Sequence, residues 1–338
     1  MVTEEIRKWL EHPPAVRGLR VVEDMFVIGT DIGKSRDENQ DRVAVLKIGS
    51  PQRNGTSWCA CVCDGMGGMK NGAEAASLAL AAFFSSLISD RKMEPKSRLE
   101  AAAKSASEQV TKSVNGGGAT LSAILIEDGS AFTINVGDSR IYRIRDSEDV
   151  QRLTVDDTLA EAFGAEDRGL LQYIGARTRI SPHVHQIEPT SGQLVITSDG
   201  AHVVGDQLLN DLGKHSGNAS QYCERVLDLA NWMGGRDNAS IIVIPRPLST
   251  QSRALETSSD VSVWSVEGRL KIAWAAGRPD VPAAPELKAK NEQPSAEPVA
   301  LSKDKTGEAA GGMRPKGKRS PKTKKDQIEI GFSDERAK

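Results

Sequence analysis

The stretch SWCACVCDGMGG, residues 57–68, decides the fold. Its first seven residues, Ser57 to Cys63, are small or apolar and predict a strand. The strand runs into Asp64-Gly65-Met-Gly-Gly68, a cluster of turn-forming residues. A helix is predicted directly afterwards, starting at Asn71, with Glu74 placed for a capping box. A strand that ends in an aspartate and a glycine-rich turn puts a carboxylate at the edge of a sheet.

Further strands and helices are predicted on both sides of this stretch. Asp128-Gly129 joins two of the strands and is a two-residue hairpin signal. The helices come in blocks rather than after every strand, which favours an α+β fold with antiparallel sheets covered by helices. The predicted strands are Met25–Gly33, Arg42–Ile48, Thr120–Glu127, Ser130–Val136, Arg140–Arg145, Gln193–Thr197 and Ala239–Ile244, and the later helices are Lys96–Ser113, Val203–Leu212 and Ser220–Met233.

Composition excludes several classes of protein. The chain has 338 residues, of which 38% are hydrophobic, and a net charge of −2, which argues against a basic protein that coats nucleic acid. Four cysteines do not make a disulfide framework. The first eleven residues lack the apolar segment of a secretory signal, and the longest apolar run, Leu78–Phe84, is too short for a membrane span. We therefore expect a cytoplasmic protein without a membrane partner.

The C-terminal region differs from the rest of the chain. Ala276–Lys325 carries 12 Lys/Arg, 6 Asp/Glu and seven of the 15 prolines, a composition that predicts disorder. Its densest part, Arg314–Lys325, is either a solvated linker or a contact for an acidic partner. The predicted organisation is an N-terminal extension over residues 1–20, a main domain over 21–248, a hairpin extension over 249–275 and a disordered, basic, Pro-rich tail over 276–338. The alternating segment Val261–Trp274 is either an extra pair of strands on the main domain or a small docking piece.

Four aspartates fall beside Gly or Asn at predicted strand ends. They are Asp64, Asp138, Asp199 and Asp237. Any single Asp-Gly or Asp-Asn pair is usually just a turn former. Four of them can converge on one rim of a sheet, where close carboxylates repel and a hard divalent cation removes the conflict. This pattern predicts a metal site.

A polar loop between the first two predicted strands adds a cation. Arg36 lies there with five polar or acidic residues that end at Asp41. A guanidinium beside a metal cluster suits a phosphate or carboxylate ligand, which it can hold with two hydrogen bonds. Without the neighbouring carboxylates, a solvated surface arginine would be the better interpretation.

Together these motifs resemble the type 2C family of metal-dependent serine/threonine protein phosphatases, in its bacterial form. Seven motifs occur in the family's order within residues 25–245. They are Arg36–Asp41, Val62–Gly68 continuing through Asn71–Ala76, Gly117–Thr120, Gly137–Arg140, Leu153–Thr158, Ser198–Gly200 and Asp237-Asn238. The resemblance implies a four-layer sandwich of two antiparallel β-sheets flanked by α-helices.

The resemblance also implies a centre of two Mn²⁺ or Mg²⁺ ions at one end of the sandwich. Carried over, Asp64 would bridge the two metals. Asp199 and Asp237 would complete the first metal, and the carbonyl of Gly65 would bind the second. Asp138 matches a ligand of a third, weaker metal. The implied reaction is hydrolysis of phosphoserine and phosphothreonine by a hydroxide that bridges the metals.

Three residues of the Arg36 loop carry the remaining implied roles. Arg36 matches the phosphate-binding arginine, and Asp41 matches an acid that orients water bound to the metals. Gln40 stands where many members have Glu, which contacts the second metal through water. Gln lacks that charge, so the alternative is a pseudophosphatase that only binds phosphoproteins. A third interpretation is a phosphatase of a small phosphoester, because the flap, about residues 158–190, is short for the family.

Partners follow from this interpretation, and two other metal motifs are rejected. We expect phosphorylated protein substrates, a cognate serine/threonine kinase, a monomer and no nucleic-acid partner.

Cys59, Cys61 and Cys63 alternate on one strand and lack a fourth zinc ligand, so they predict core packing. His183 and His185 share one face of a strand-like segment and form an incomplete metal site.

Overall fold

The computed structural model contains seven helices and fourteen strands among its described residues, which are 2–13, 16–50, 55–66, 71–145, 148–164, 166–167, 169–188, 192–245, 260–274 and 328–333. The helices are α1 Val2–Leu10, α2 Gly72–Ser89, α3 Pro95–Ser113, α4 Leu159–Phe163, α5 Asp199–His202, α6 Asp206–His215 and α7 Ala219–Trp232. The strands are β1 Arg17–Val22, β2 Phe26–Asp31, β3 Arg42–Ser50, β4 Gly55–Cys63, β5 Leu121–Glu127, β6 Ser130–Val136, β7 Arg140–Ile144, β8 Gln151–Arg152, β9 His183–Ile187, β10 Gln193–Thr197, β11 Ala239–Ile244, β12 Val261–Ser265, β13 Gly268–Trp274 and β14 Ile328–Ser333.

The strands form two sheets that face each other, as predicted. One has the order β1-β2-β11-β10-β7-β8, and the other has the order β14-β13-β12-β3-β4-β5-β6-β9. Pairing from β13 to β9 and across the first sheet is antiparallel throughout. Helices α2 and α3 cover the larger sheet and α5–α7 cover the smaller one. The α+β four-layer sandwich is therefore confirmed.

The alternation of β4 shows how the sequence builds these layers. Trp58, Ala60 and Val62 belong to the core between the two sheets, together with Phe26 and Ile28 from β2. The residues between them, Cys59, Cys61 and Cys63, are buried on the opposite face of β4. The predicted core packing of these cysteines is thus what the structure shows.

Helix α2 starts without the predicted capping box. Asn71 has a left-handed backbone, with φ 64°, and its side chain makes no capping hydrogen bond. The helix is long and apolar enough to cross a membrane by length and composition alone, but 78% of it is buried inside the domain. Such burial is typical of a core helix packed between neighbouring elements.

Two further hairpins extend the sheets, and the second is the extra pair of strands that is one alternative predicted for Val261–Trp274. Glu23 and Asp24, with φ 47° and 55°, turn β1 back onto β2. This turn escapes sequence analysis because it contains neither Gly nor Asn, the usual residues at positive φ. The alternating segment Val261–Trp274 forms β12 and β13, and β12 pairs with β3.

Part of the C-terminal region also enters the larger sheet. Residues 328–333 form β14 beside β13, although they lie in the range for which composition predicts disorder. Their alternation of Ile328, Ile330 and Phe332 suits a strand, and it outweighs the composition of the preceding residues. Residues 249–259 and 276–327 lie outside the described residues, and the second range includes the basic run Arg314–Lys325. Gly67 and Gly68 also lie outside them.

Trp264 attaches the β12–β13 hairpin to the main core. It is 6% exposed and stacks on Trp58, with ring centroids 5.7 Å apart. The guanidinium of Arg269 lies 4.6 Å from the centre of the Trp264 ring. The hairpin therefore closes one end of the core between the sheets.

We predict that Trp264→Ala lowers the free energy of unfolding by about 3–5 kcal/mol, because it leaves a cavity against Trp58. Urea denaturation measures the change through the shifted midpoint. Trp232→Ala, on a side chain that is 81% exposed, is the control and should change stability little. Equal stability of the two variants would show that the hairpin does not contribute to the core.

Candidate active site

The structure places the predicted carboxylates at one edge of the two sheets. Asp41 precedes β3 and Asp64 follows β4, and the first residue of β3 pairs with the last residue of β4. Asp199 follows the end of β10, and Asp237 lies just before β11, the antiparallel neighbour of β10. Asp138 lies in the turn between β6 and β7, and β7 is the other neighbour of β10. Antiparallel pairing thus gathers residues that are far apart in sequence.

Asn238 fixes the polar loop to this edge. Its Oδ1 accepts a 2.8 Å hydrogen bond from the backbone N–H of Gln40. Its Nδ2 donates to the carbonyl oxygens of Ile32 and Glu38, at 2.8 and 3.1 Å. Because both ends of the loop are bound to one buried side chain, Arg36 between them is held beside Asp237.

Ser198 links the carboxylate of Asp41 to the opposite sheet. Its hydroxyl donates to Oδ2 of Asp41 at 2.8 Å and accepts the backbone N–H of Ser240 at 2.8 Å. The other oxygen, Oδ1 of Asp41, is buried and has no hydrogen-bond partner among the described residues. One oxygen of Asp41 is therefore fixed, and the other is open to an additional donor.

Asp64 and Gly65 are positioned by close backbone packing. The hydroxyl of Thr120 accepts the backbone N–H of Asp64 at 3.0 Å. A Cβ on Gly65 would lie 2.5 Å from the carbonyl oxygen of Gly72 and 2.7 Å from that of Gln40. Glycine is required here because only a residue without Cβ lets the turn, the polar loop and the start of α2 meet.

Asn238, Ser198 and Thr120 have no predicted role, although all three lie inside the quoted motifs. The signal was their adjacency to Asp237, Asp199 and the Gly117–Thr120 segment. Their function is to hold backbone and carboxylate atoms by hydrogen bonds, and such contacts span up to 206 residues of sequence. No local pattern identifies a contact of that kind.

Burial of like charges dominates the electrostatics of this edge. Burial raises the pKa of Asp64 well above its usual range, and the carboxylates of Asp41 and Asp199 raise it further. Burial raises the pKa of Asp41 to about 7, although the hydroxyls of Ser240 and Ser198 lower it. Burial and then the carboxylate of Asp237 raise the pKa of Asp199.

Asp138 belongs to the same electrostatic group. Burial raises its pKa to about 6, with further contributions from Asp199 and Asp156. Arg140 makes hydrogen bonds of 2.6–3.0 Å to both oxygens of Asp156. The carboxylate of Asp156 therefore compensates much of the positive charge of Arg140. The five predicted site aspartates therefore lie close enough to share one field, in which ionising all of them is unfavourable.

Arg36 lies at the exposed side of this group. Its Nη2 donates to Oδ2 of Asp237 at 2.6 Å, and about a third of each side chain is exposed. Asp199 and Asp64 also act on the guanidinium, at longer range. The arginine is therefore at the site and reachable from solvent.

The residues present fit a divalent cation. The donor set is all oxygen, which is what Mg²⁺ and Mn²⁺ prefer. Oδ1 of Asp199 is buried without a hydrogen-bond partner among the described residues, as is Oδ1 of Asp41. Within the same residues, no three Asp, Glu, His or Cys side chains are already arranged closely enough for one ion, and Asp237 is bonded to Arg36. A cation would relieve both the repulsion and the unpaired oxygens.

His183 has a partner other than a metal. Its Nε2 lies 2.8 Å from Oδ1 of Asp157, and Oδ2 of Asp157 accepts the backbone N–H of Gly137 at 2.8 Å. This chain of contacts supports the turn that carries Asp138. His183, the first residue of β9, therefore connects the start of this strand to the β6–β7 turn. His185 is exposed.

We predict that Asp64→Asn raises the melting temperature of the metal-free protein at neutral pH, because a buried carboxyl whose pKa is raised by folding costs stability at that pH and a neutral amide does not. A gain of about 1 kcal/mol corresponds to about 2–4 °C in a domain of this size. The same variant should lose most of the further rise that Mg²⁺ or Mn²⁺ gives the wild type. Thermal melting with and without metal checks both; a lower metal-free melting temperature would contradict the repulsion.

Comparison with known proteins agrees with this geometry. The model of the protein phosphatase 2C family matches residues 28–236. The serine/threonine phosphatase stp of Listeria monocytogenes is 24% identical over 249 residues, which cover 66% of this chain and 96% of the relative.

Two solved structures show the same fold. One is the PPM Ser-Thr phosphatase MsPP from Mycobacterium smegmatis in complex with cacodylate, with a TM-score of 0.55, 25% identity and coverage of 65% of this chain and 97% of that one. The other is the catalytic domain of the serine/threonine protein phosphatase PstP in complex with two manganese ions, with a TM-score of 0.54, 23% identity and coverage of 68% and 98%. Because the family match spans most of the sandwich that carries the aspartates, the chain belongs to the protein phosphatase 2C family and is a protein phosphatase.

Proposed function

We propose that this phosphatase removes phosphate from phosphoserine and phosphothreonine in proteins, with two Mn²⁺ or Mg²⁺ ions held by Asp64, Gly65, Asp199 and Asp237. The observation that carries the proposal is the convergence of these aspartates with Arg36 at one edge of the sandwich. The names of the relatives, serine/threonine phosphatases of bacteria, support the substrate class. Asp138 is proposed to hold a third ion.

Divalent ions at such a site neutralise the phosphate dianion and lower the pKa of water, so that a nucleophile forms near neutral pH. The protein's own residues do the rest. Arg36 exchanges Asp237 for the non-bridging phosphate oxygens and binds them as charge spreads in the transition state. Asp41, fixed by Ser198, accepts a proton from the attacking water and orients it.

A covalent phosphocysteine route does not fit the structure. All four cysteines of the sequence are buried. Burial raises the pKa values of Cys59, Cys61 and Cys223, which keeps these thiols protonated. Direct attack by water on phosphorus therefore remains the route that the site supports.

The remaining partners follow from the reaction. A protein phosphatase acts on proteins that a serine/threonine kinase has phosphorylated, and we propose that a kinase of this type is its partner. We also propose that the enzyme is a cytoplasmic monomer and that the basic run Arg314–Lys325 contacts acidic partners.

The first test is metal-dependent release of phosphate from a phosphothreonine peptide. Asp199→Asn should lower kcat by at least about a hundredfold, because it removes a charged ligand that holds the metal. Asp228→Asn, on a surface side chain that is 65% exposed, is the matched control and should keep full activity. Wild-type activity in a chelator would contradict the metal-dependent mechanism.

The same assay separates the alternatives. A pseudophosphatase would bind the phosphopeptide without releasing phosphate. A phosphatase of small phosphoesters would favour a phosphorylated metabolite over the peptide in kcat/KM. Preference for the peptide is the result that we expect.

A separate prediction concerns Gln40. The side chain lies beside Gly72, where a Cβ would be 2.7 Å from its Oε1, and its backbone crowds Gly65. We predict that Gln40→Glu adds a negative charge near the second metal and lowers the half-saturating metal concentration several-fold. Gln207→Glu, the same change on the exposed face of α6, is the control and should leave the metal titration unchanged. An unchanged titration of Gln40→Glu would show that Gln40 does not lie near the metal.

A further inference from the structure

A small cavity lies beside Asp41. Its volume is about 20 Å³, and its walls include Trp9 from α1, Thr30 from β2, Asp41, Ser265 at the end of β12 and Val266 after it. A water molecule needs about 10–15 Å³ measured in this way, so the cavity has room for one water and for no larger ligand.

Two residues of this cavity carry buried polar atoms without a hydrogen bond among the described residues. They are the indole N–H of Trp9, which can only donate, and Oδ1 of Asp41, which can only accept when the carboxyl is ionised. The hydroxyl of Ser240 is near Asp41 and lies 2.8 Å from that of Thr30, a contact in which either hydroxyl can donate, but it makes no hydrogen bond to Oδ1 of Asp41. A buried donor and a buried acceptor left unpaired would each cost about 1–3 kcal/mol.

Both walls opposite Asp41 come from elements outside the family match. Residues 28–236 match the family, whereas α1 ends at Leu10 and β12 begins at Val261. Trp9 is held between them: a Cβ on Gly268 would lie 3.1 Å from its ring, and Leu10 beside it is 3% exposed. The carbonyl of Val266 accepts a 3.2 Å hydrogen bond from Arg20, which fixes the turn.

We propose that one buried water fills this cavity, accepts the indole N–H of Trp9 and donates to Oδ1 of Asp41. Ser265 supplies a third polar partner, since its hydroxyl accepts the backbone N–H of Glu267 and keeps its own proton to donate. A buried water with three partners is well satisfied. Trp9 is thus a positioning residue that acts on Asp41 through water.

The consequence is that α1 and the β12–β13 hairpin are parts of the catalytic unit. Ser198 holds one oxygen of Asp41 and the water holds the other, so rotation of the carboxylate is restricted from both sheets. The effect on metal binding and turnover rests on the proposed phosphatase function, but the water bridge itself does not.

The bridge is tested in the metal-free protein by the ¹⁵N–¹H resonance of the Trp9 indole. Asp41→Asn should shift that resonance, while the indole resonance of exposed Trp232 stays in place. This readout needs neither metal nor substrate, so it is independent of the proposed function. An unmoved Trp9 resonance would overturn the proposal.

The positioning role is tested by Trp9→Phe, which keeps an aromatic ring and removes the donor. We expect a roughly three- to tenfold rise in the half-saturating Mn²⁺ concentration in calorimetry, the effect of one water-mediated hydrogen bond to an outer-shell group. KM for a small aryl phosphate should stay the same while kcat falls. Trp232→Phe, the same chemical change on an exposed side chain, is the control. Identical metal titrations of the wild type and Trp9→Phe would overturn the positioning role.

Discussion

Repulsion among buried carboxylates is the constraint on which the rest of this structure depends. Five aspartates lie at one edge of the sandwich, and the pKa values resolved for four of them are raised. Without metal, the fold holds these carboxyl groups together against their mutual repulsion. Arg36 is bonded to Asp237, whereas Asn238, Ser198 and Thr120 fix loops and carboxylate atoms through hydrogen bonds of neutral side chains. Neutral partners position the other carboxylates without neutralising them, which keeps the group attractive to cations.

Much of this arrangement could be predicted from the sequence, because strands and turns are local. The boundaries of β10 and β11 agree with the predicted strands, and Asp128-Gly129 adopts positive φ at both residues, as a two-residue hairpin requires. The aspartates were found because each follows or precedes an apolar strand. Their convergence then follows from antiparallel pairing.

The failures have equally specific causes. At Asn71, the sequence predicts a capping box, but the residue has a left-handed backbone and its Nδ2 donates to the carbonyl of Asn115 instead of capping the helix. The helix predicted at Val203 begins at Asp206, because Gly205 adopts φ 86° and ends the preceding turn. Helix α1 and strand β1 were assigned to an extension, since no motif marks them. Tertiary contacts decide each of these segments.

Two arginines lie beside the carboxylates, and the burial of each decides whether it can bind a ligand or only hold the polar loop. Arg42 is buried, and its guanidinium donates to the carbonyl oxygens of Asn39 and Asp41 at 2.8 Å and to the hydroxyl of Ser77 at 2.7 Å. Burial lowers its pKa to about 10, so it stays charged at neutral pH while it is bonded to neutral groups. It cannot reach a ligand without leaving three hydrogen bonds unmade.

Arg36 has the opposite environment. It is about a third exposed and has one carboxylate partner, Asp237. Exchange of that partner for a phosphate oxygen trades one charge-assisted hydrogen bond for another, so its net cost is small. Of the two arginines that lie within the polar loop or at its end, only the exposed one is therefore suited to the substrate role that we propose, while the buried one keeps the loop in place beside the aspartates.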